Sequence, residues 1–368
     1  MVARYFALGL LLVVHGSGAQ TLPPAPAAPL PVIIDTDVGS DLDDAYAIAI
    51  AIRAEQLGYV SIRAITTSNM VDKAPAFVQA LLAGGGRHLS RIPIGAFHGT
   101  NFCSGEGDNY AAQTLAALKS PPVTGRASFP SATTVLRQTL AAAADGSMTI
   151  ITIGGQSNIA LLMQSPADQY SELSGADLWS KKVARMYAMN SPYPGPPRQW
   201  DYNSHCDAAA TAYVYQNNGG VPIIGNQMPL TINIGGCYDG TGVGCTTATM
   251  SATNPLRLAT DFYIGHSGGF SKGGGNAGRP AWDPSTILLA MVGTNPAPGG
   301  AWFNLSGNGT LTVSGAGYNQ RNVWSTENQS SHYYVTLPRL YTDYGAILNS
   351  LLNGYSPAEA HQPQRAKP

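Results

Sequence analysis

Charge is scarce in this chain: of 368 residues only 11% are Asp, Glu, Lys or Arg, with 20 basic against 21 acidic and a net charge of −1. That balance excludes the basic excess that nucleic acid or an anionic membrane surface calls for, and it favours small neutral ligands as partners. Cysteine is equally sparse, at four residues. No C-x-x-C or H-E-x-x-H spacing occurs among them, which removes the usual zinc signatures. No apolar run is long enough to span a bilayer: the stretch Tyr5 to Val14 is about half of the ~20 residues required. Preceded by Arg4 and followed by Ser17-Gly18-Ala19, it reads as a secretory signal over residues 1–19. The mature protein is therefore expected to be secreted or periplasmic, without membrane attachment.

Export makes disulfides possible. Cys237 and Cys245 flank the loop YDGTGVG and are expected to bridge locally, which leaves Cys103 and Cys206 to pair across the fold. Residues 20–30, rich in Pro and Ala, read as a linker. One domain is expected over 31–354, followed by a disordered tail over 355–368. With 44% hydrophobic residues there is enough apolar material for a real core.

The most costly stretch is PVIIDTDVGSDLDDAYAIAIAI, residues 31–52, where five carboxylates fall within ten positions. The β-branched run Val32 to Ile34 reads as a buried strand, and Ala45 to Ala51 as the helix after it. Asp35, Asp37, Asp41, Asp43 and Asp44 then collect at the carboxyl end of a strand, where open α/β sheets bind ligands. A helix amino terminus stabilises one or two such charges by roughly 0.3–1 kcal/mol each. Five hard oxygen ligands in one loop call for a divalent cation such as calcium or magnesium.

Further strands are expected at 60–66, 92–96, 148–153, 183–189 and 221–224, with helices at about 73–83, 133–144, 157–163 and 208–215 between them. Strand alternating with helix predicts an α/β fold: an open, mainly parallel, Rossmann-like sheet flanked by helices. Residues 310–313 and 333–337 suggest a small antiparallel excursion near the C-terminus, closed by a helix over about 341–352.

The segments DTDVGSDLDD, ITTSN, TIGGQSNIALL, VARMYAMN, DYNSHCDAAA and AWDPSTILLA occur in the order and rough spacing of the calcium-dependent nucleoside hydrolases, the inosine–uridine-preferring family. The resemblance covers nearly all of residues 31–352. It implies hydrolysis of the N-glycosidic bond of a nucleoside, with Ca2+ as cofactor and assembly into a dimer or tetramer. Position by position, Asp37 matches the aspartate that binds calcium and takes a proton from the attacking water. Asp44 matches a second ligand, Ile153 a backbone-carbonyl ligand and Asp283 the last protein ligand. Asp43, Asn69, Met186, Asp201 and Asn203 match sugar-binding positions.

The sequence departs from that pattern in three places. The first motif is about two residues longer than usual, so Asp41 competes with Asp43 for the ribose contact. The Pro-rich stretch 190–199 lacks an expected sugar-binding asparagine, for which Asn190 is a stand-in. Trp282 stands where pyrimidine-accepting members carry a histidine, and stacking of the leaving base on its indole predicts a lean towards purine nucleosides. Phe97, Phe102 and Tyr110 are candidates for the other wall of a base pocket, and the glycines of 268–278 for a lid.

Two other readings stay open. A secreted calcium-dependent nucleoside- or sugar-binding protein without turnover would use the same scaffold. Gly265-His266-Ser267-Gly268-Gly269 fits the nucleophile elbow of a serine hydrolase, with Ser267 as nucleophile, provided that a strand precedes it and a helix follows.

Overall fold

The β-branched run does form a buried strand, and everything else is laid against it. The computed structural model describes residues 21–39, 41–86, 89–101, 110–118, 124–190, 201–226, 229, 231–236, 250–267, 278–295, 300–316 and 320–355. In chain order the first half contains β1 (Leu30–Thr36), α1 (Asp43–Gln56), β2 (Val60–Thr67), α2 (Ala74–Gly85), β3 (Ile94–Ala96), α3 (Tyr110–Ala117), α4 (Ala132–Ala141), β4 (Met148–Thr152), α5 (Ser157–Gln164), α6 (Gly175–Lys182) and β5 (Val183–Met189). Then come α7 (Tyr202–Cys206), α8 (Ala208–Gln216), β6 (Ile223–Asn226), β7 (Asn233–Ile234), α9 (Pro255–Ser267), β8 (Arg279–Pro280) and α10 (Trp282–Val292). The last elements are β9 (Asn304–Leu305), β10 (Thr310–Ser314), β11 (Arg321–Ser325), β12 (His332–Thr336) and α11 (Tyr341–Asn353).

Eight strands form one sheet in the order β3-β2-β1-β4-β5-β6-β12-β9, parallel throughout except where β9 runs antiparallel to β12. The chain winds outward from β1 to β3, then returns to the other side of β1 with β4 and continues to β6. Strand order therefore reverses between β1 and β4, and the carboxyl ends of those two strands flank a crevice of the kind that holds ligands in open α/β sheets.

Alternation along β1 builds both faces. Val32 and Ile34 join the core shared by α1, α2, α10 and α11, whereas Ile33 joins the core of α4, α5 and α8 on the opposite face. α1 is buried along its length from Asp43 to Ile52. This explains its Ala/Ile composition: a helix packed on all sides needs no polar stripe.

The structure revises several expectations. Asp43 and Asp44 lie in the first turn of α1 and not in the loop before it, since carboxylates near a helix amino terminus are stabilised by its dipole. Thr310–Ser314 pairs antiparallel with β11, but the strand expected at 333–337 joins the main sheet parallel to β6. The eight-residue helices α3 and α6 were too short, and α9 too mixed, to stand out as periodic segments. Just before β1, Leu22 packs on the core and Tyr59 OH donates to the Pro23 carbonyl, while residues 24–29 are exposed. No helix among the described residues is long and apolar enough to cross a membrane. Residues 1–20 and 356–368 lie outside the description.

Candidate active site

β1 ends at Thr36, so Asp37 is the first residue past the strand, at the reversal point of the sheet. Asp37, Asp43, Asp44 and Asp283 are 3%, 1%, 1% and 4% exposed, an unusual density of buried carboxylates. They converge because α1 packs against α10, which brings together two helix amino ends, one carrying Asp43 and Asp44 and the other Asp283. Carboxylate oxygens of Asp41, Asp44 and Asp283 lie within 4.8 Å of one another. Asp37 shares a hydrogen bond with Asp44 and feels the charge of Asp41.

The electrostatics follow from burial. Asp37 is pushed up to about 8, first by loss of water and then by the neighbouring charge of Asp41. Asp44 is raised well above the carboxylate range by burial and then by Asp37, Asp41 and Asp43; Asp283 is raised likewise by burial and by Asp43 and Asp44. Asp43 is raised by burial and by Asp41, and Arg279 partly offsets this. Asp35, inside β1, is lifted to about 7 by burial although Thr66 Oγ1 (2.5 Å) and Asn158 Nδ2 (2.8 Å) both donate to its Oδ1. With no cation bound, Asp37 at about 8 keeps its proton at neutral pH. The donor set is oxygen only, clustered and short of positive charge, which fits a hard divalent ion and not zinc or copper.

Several side chains hold this loop in place. Thr36 Oγ1 donates to Asp44 Oδ1 at 2.5 Å. The Asn69 amide donates to the carbonyls of Asp37 and Val38, and its own Oδ1 accepts from Val71 N at 3.3 Å. Tyr110 OH donates to the Asp41 carbonyl at 2.7 Å and accepts from Gly39 N at 2.9 Å, so this ring anchors the loop from inside the core. Ile153 follows β4 and donates its N–H to the Asp35 carbonyl at 2.8 Å, which ties β4 to β1 beside the cluster. Gly154 comes next. A Cβ there would stand 2.5 Å from Ser68 Oγ, 2.7 Å from Asp37 N and 2.9 Å from Asp37 Oδ1, so only glycine lets the two strand ends close on each other.

The remaining expected residues form a second group. Asp201 caps α7 by accepting from Ser204 N at 2.7 Å, and Asn203 Nδ2 donates to the Met189 carbonyl at 2.9 Å. Met189 ends β5, whereas Met186 lies mid-strand, wholly buried in the second core between Ile150 and Ile223. The methionine at the sheet edge is thus Met189, three residues further along than the sequence pattern suggested. Asn190 exchanges hydrogen bonds with Tyr215 OH in the interior. Phe97 is buried, His98 is exposed with its Nε2 beside the Arg126 carbonyl, and His205 sits on α7. Asn158 proves to be a buried pin, its amide bonded to Asp35 and to the Thr67 carbonyl.

Sequence reasoning missed Arg279. Its Nε donates to Asp43 Oδ1 at 3.1 Å and its Nη2 pairs with Asp41, while its guanidinium lies 5.1 Å from the Trp282 ring centre and 5.9 Å from that of Tyr263. A lone arginine after a glycine-rich run carries no motif that would have marked it. Trp282, half-buried, opens α10 directly before Asp283.

Ser267 is the last residue of helix α9, so the strand that a nucleophile elbow requires does not precede it. Phe102, Cys103, Cys237, Cys245, residues 191–200 and 268–277 lie outside the described residues. Cys206 is buried, and no free cysteine is found among the described residues.

The family model of the inosine-uridine preferring nucleoside hydrolases matches residues 32–298. No curated protein sequence matches the chain. Among solved structures, a plant nucleoside hydrolase, the PpNRh1 enzyme, is 20% identical, with a TM-score of 0.58 over 89% of this chain and 98% of its own. An inosine-guanosine nucleoside hydrolase is 17% identical, with a TM-score of 0.62 over 89% and 98%. The type III effector protein XopQ, solved with adenosine diphosphate ribose, is 16% identical, with a TM-score of 0.61 over 90% and 96%. At these identities the likeness is one of fold.

Proposed function

The chain belongs to the inosine-uridine preferring nucleoside hydrolase family and is a hydrolase acting on N-glycosyl bonds; on that premise we propose that it cleaves purine-leaning ribonucleosides to ribose and base with the help of one calcium ion. The observation that carries this reading is the convergence of Asp37, Asp41 and Asp44 with Asp283, from the far end of the domain, at the reversal point of the sheet.

Asp37, Asp44 and Asp283, with the main chain at Ile153, would hold the ion, and Asp41 lies close enough to join them. Calcium bound there supplies Lewis-acid chemistry to the nucleophilic water and to the ribose diol. Asp37 acts as general base: its carboxylate takes one proton from water as the oxygen approaches C1′. The remaining carboxylates favour the positive charge that develops on the ribosyl ring as the bond to the base stretches.

Asp43, Asp201 and Asn203 are assigned to the sugar, with Met189 at the end of β5 as its floor. Asn69 serves the same site by bracing the carbonyls of Asp37 and Val38. Trp282 is assigned to the base because it is half-buried and covalently next to Asp283; an indole face favours the larger purine ring system. Export through residues 1–19 and a dimeric or tetrameric assembly complete the reading.

The test is release of hypoxanthine from inosine and of uracil from uridine by the purified mature protein, with calcium and with chelator. Calcium-dependent turnover favouring inosine is expected. Calcium binding with no turnover of either nucleoside would replace the hydrolytic reading with that of a binding protein.

A further inference from the structure

The β10–β11 hairpin lies beyond the residues that the family model matches, yet it reaches the segment assigned to the sugar. Along β10, Leu311 and Val313 point inward and pack in the core of α4, α5 and α8, while Thr312 and Ser314 are exposed. β11 breaks this pattern. Asn322, opposite Val313, is 5% exposed, whereas its neighbour Val323 is 40% exposed, so the amide faces inward and the apolar side chain faces water. Gln320, just ahead of the strand, is fully buried. Buried amides are costly unless hydrogen-bonded, so their partners show what they are there to hold.

Both amides are bonded to the start of α7. Asp201 N donates to Gln320 Oε1 at 3.2 Å, and Gln320 Nε2 donates to Asn322 Oδ1 at 2.5 Å. Asn322 Nδ2 donates to Ser204 Oγ at 3.2 Å, and Ser204 N donates to Asp201 Oδ2 at 2.7 Å. The four residues close a ring that grips Asp201 by its main chain and by its carboxylate, with Asn203 inside the gripped segment. Gln320 reaches Asp201 across 119 positions of sequence.

We propose that Gln320 and Asn322 are positioning residues for sugar recognition: the hairpin sets the carboxylate of Asp201, and through it the fit of the ribose. This rests on the nucleoside-hydrolysing reading above and deepens it. α7 is only five residues long, and so short a helix has little stability of its own. Its placement is therefore decided by what holds its first residues, and the ring is what holds them. A buried polar network with every link made fixes one arrangement in a way that apolar packing of a hairpin does not.

Fastening the hairpin to the domain would be a purely structural role, and a double-mutant cycle with Asp201 separates the two. In Gln320→Met, which keeps the volume and loses both bonds, kcat/KM for inosine should fall by roughly 100-fold, the scale on which a misplaced orienting group acts. The fall for uridine, which carries the same ribose, should match it. Calcium affinity in calorimetry should stay at the wild-type value, since the ring does not include the acidic cluster. In an Asp201→Ala background the same Gln320→Met change should cost little more. Equal fractional losses in the two backgrounds, as a loss of folded protein would give, would overturn the assignment. So would an unchanged kcat/KM, a shifted ratio of inosine to uridine turnover, a matching loss of calcium affinity, or an Asp201→Ala variant as active as the wild type; each of these leaves nucleoside hydrolysis standing. Should Gln320→Met not fold, Asn322→Ala runs the same cycle with the same expected and overturning results. Failure of the wild type to cleave either nucleoside would remove the underlying reading together with this one.

Discussion

Asn158 on α5 donates through Nδ2 to Asp35 Oδ1 at 2.8 Å, joining two residues 123 positions apart on either side of the sheet's reversal point. The same amide donates to the Thr67 carbonyl at 2.9 Å, so one side chain fixes the carboxyl ends of β1 and β2 together. Asn158→Ala removes both bonds and leaves a buried carboxyl and a buried carbonyl short of a donor. The expected cost is about 2 kcal/mol, with a wide range about that value, read as a fall in Tm and in the denaturant midpoint. Because Asp35 lies two residues before Asp37, calcium affinity should fall too.

Gly154→Ala tests the closeness of the two strand ends. The new methyl would meet the Asp37 amide and carboxylate at 2.7 and 2.9 Å, neither of which can retreat without moving the cluster. Turnover should fall by about two orders of magnitude, as misplacement by an ångström commonly costs. Circular dichroism should show an unchanged fold. Full activity in this variant would mean that the two strand ends part freely.

Removal of one carboxylate at a time tests the ion's ligands. Asp44→Asn and Asp283→Asn should each weaken calcium binding in calorimetry by at least roughly tenfold, the scale on which changes at a metal site act. Asp37→Asn should lose more turnover than binding, since it removes a base as well as a ligand. Asp41→Asn decides whether that residue belongs to the ion or to Arg279: a large loss of calcium affinity assigns it to the ion.

The carboxyls predict a pH dependence with an unusual sign. Asp37 and Asp35 rise from an ordinary value of 3.8 to about 8 and about 7, so the metal-free folded state binds more protons than the unfolded chain across that interval. Their contribution to stability is fully present below 3.8 and is lost as pH rises through 7 and 8. The Tm of the chelated protein should therefore fall between about pH 5 and about pH 9, where an ordinary carboxylate-stabilised protein would gain or hold. Calcium, which requires the deprotonated forms, should bind more tightly over the same rise and cancel the fall. A Tm that climbs with pH in the presence of chelator would contradict these shifts.

Local signals made much of this legible. The run Val32 to Ile34 reads as a buried strand and the Ala/Ile stretch behind the acids as a helix, and both are present, although the burial of α1 along its length is visible only in the structure. Asp283 was reachable only through resemblance, because nothing in its own neighbourhood says that α10 will dock on α1. Arg279 was not reachable at all: its importance arises from contacts with Asp43, 236 positions away, and with Tyr263 and Trp282. Met186 and Met189 show the same limit on a shorter scale. Strand periodicity assigns faces, but where the strand ends decides which methionine reaches the sheet edge, and β5 ends at Met189.

The carboxylates of Asp44 and Asp283 come from opposite ends of the domain yet lie within 4.8 Å of each other. As the chain is synthesised, the first motif emerges long before its partner exists, and four buried acids with no counter-ion would oppose its early burial. Tight ion binding must therefore wait until α10 has docked, and an ion that ligates both residues closes a loop of more than two hundred residues. On the proposed reading of an exported, calcium-dependent enzyme, this would tie the last step of maturation to the ion in the medium it enters, and keep the chain catalytically silent until it arrives.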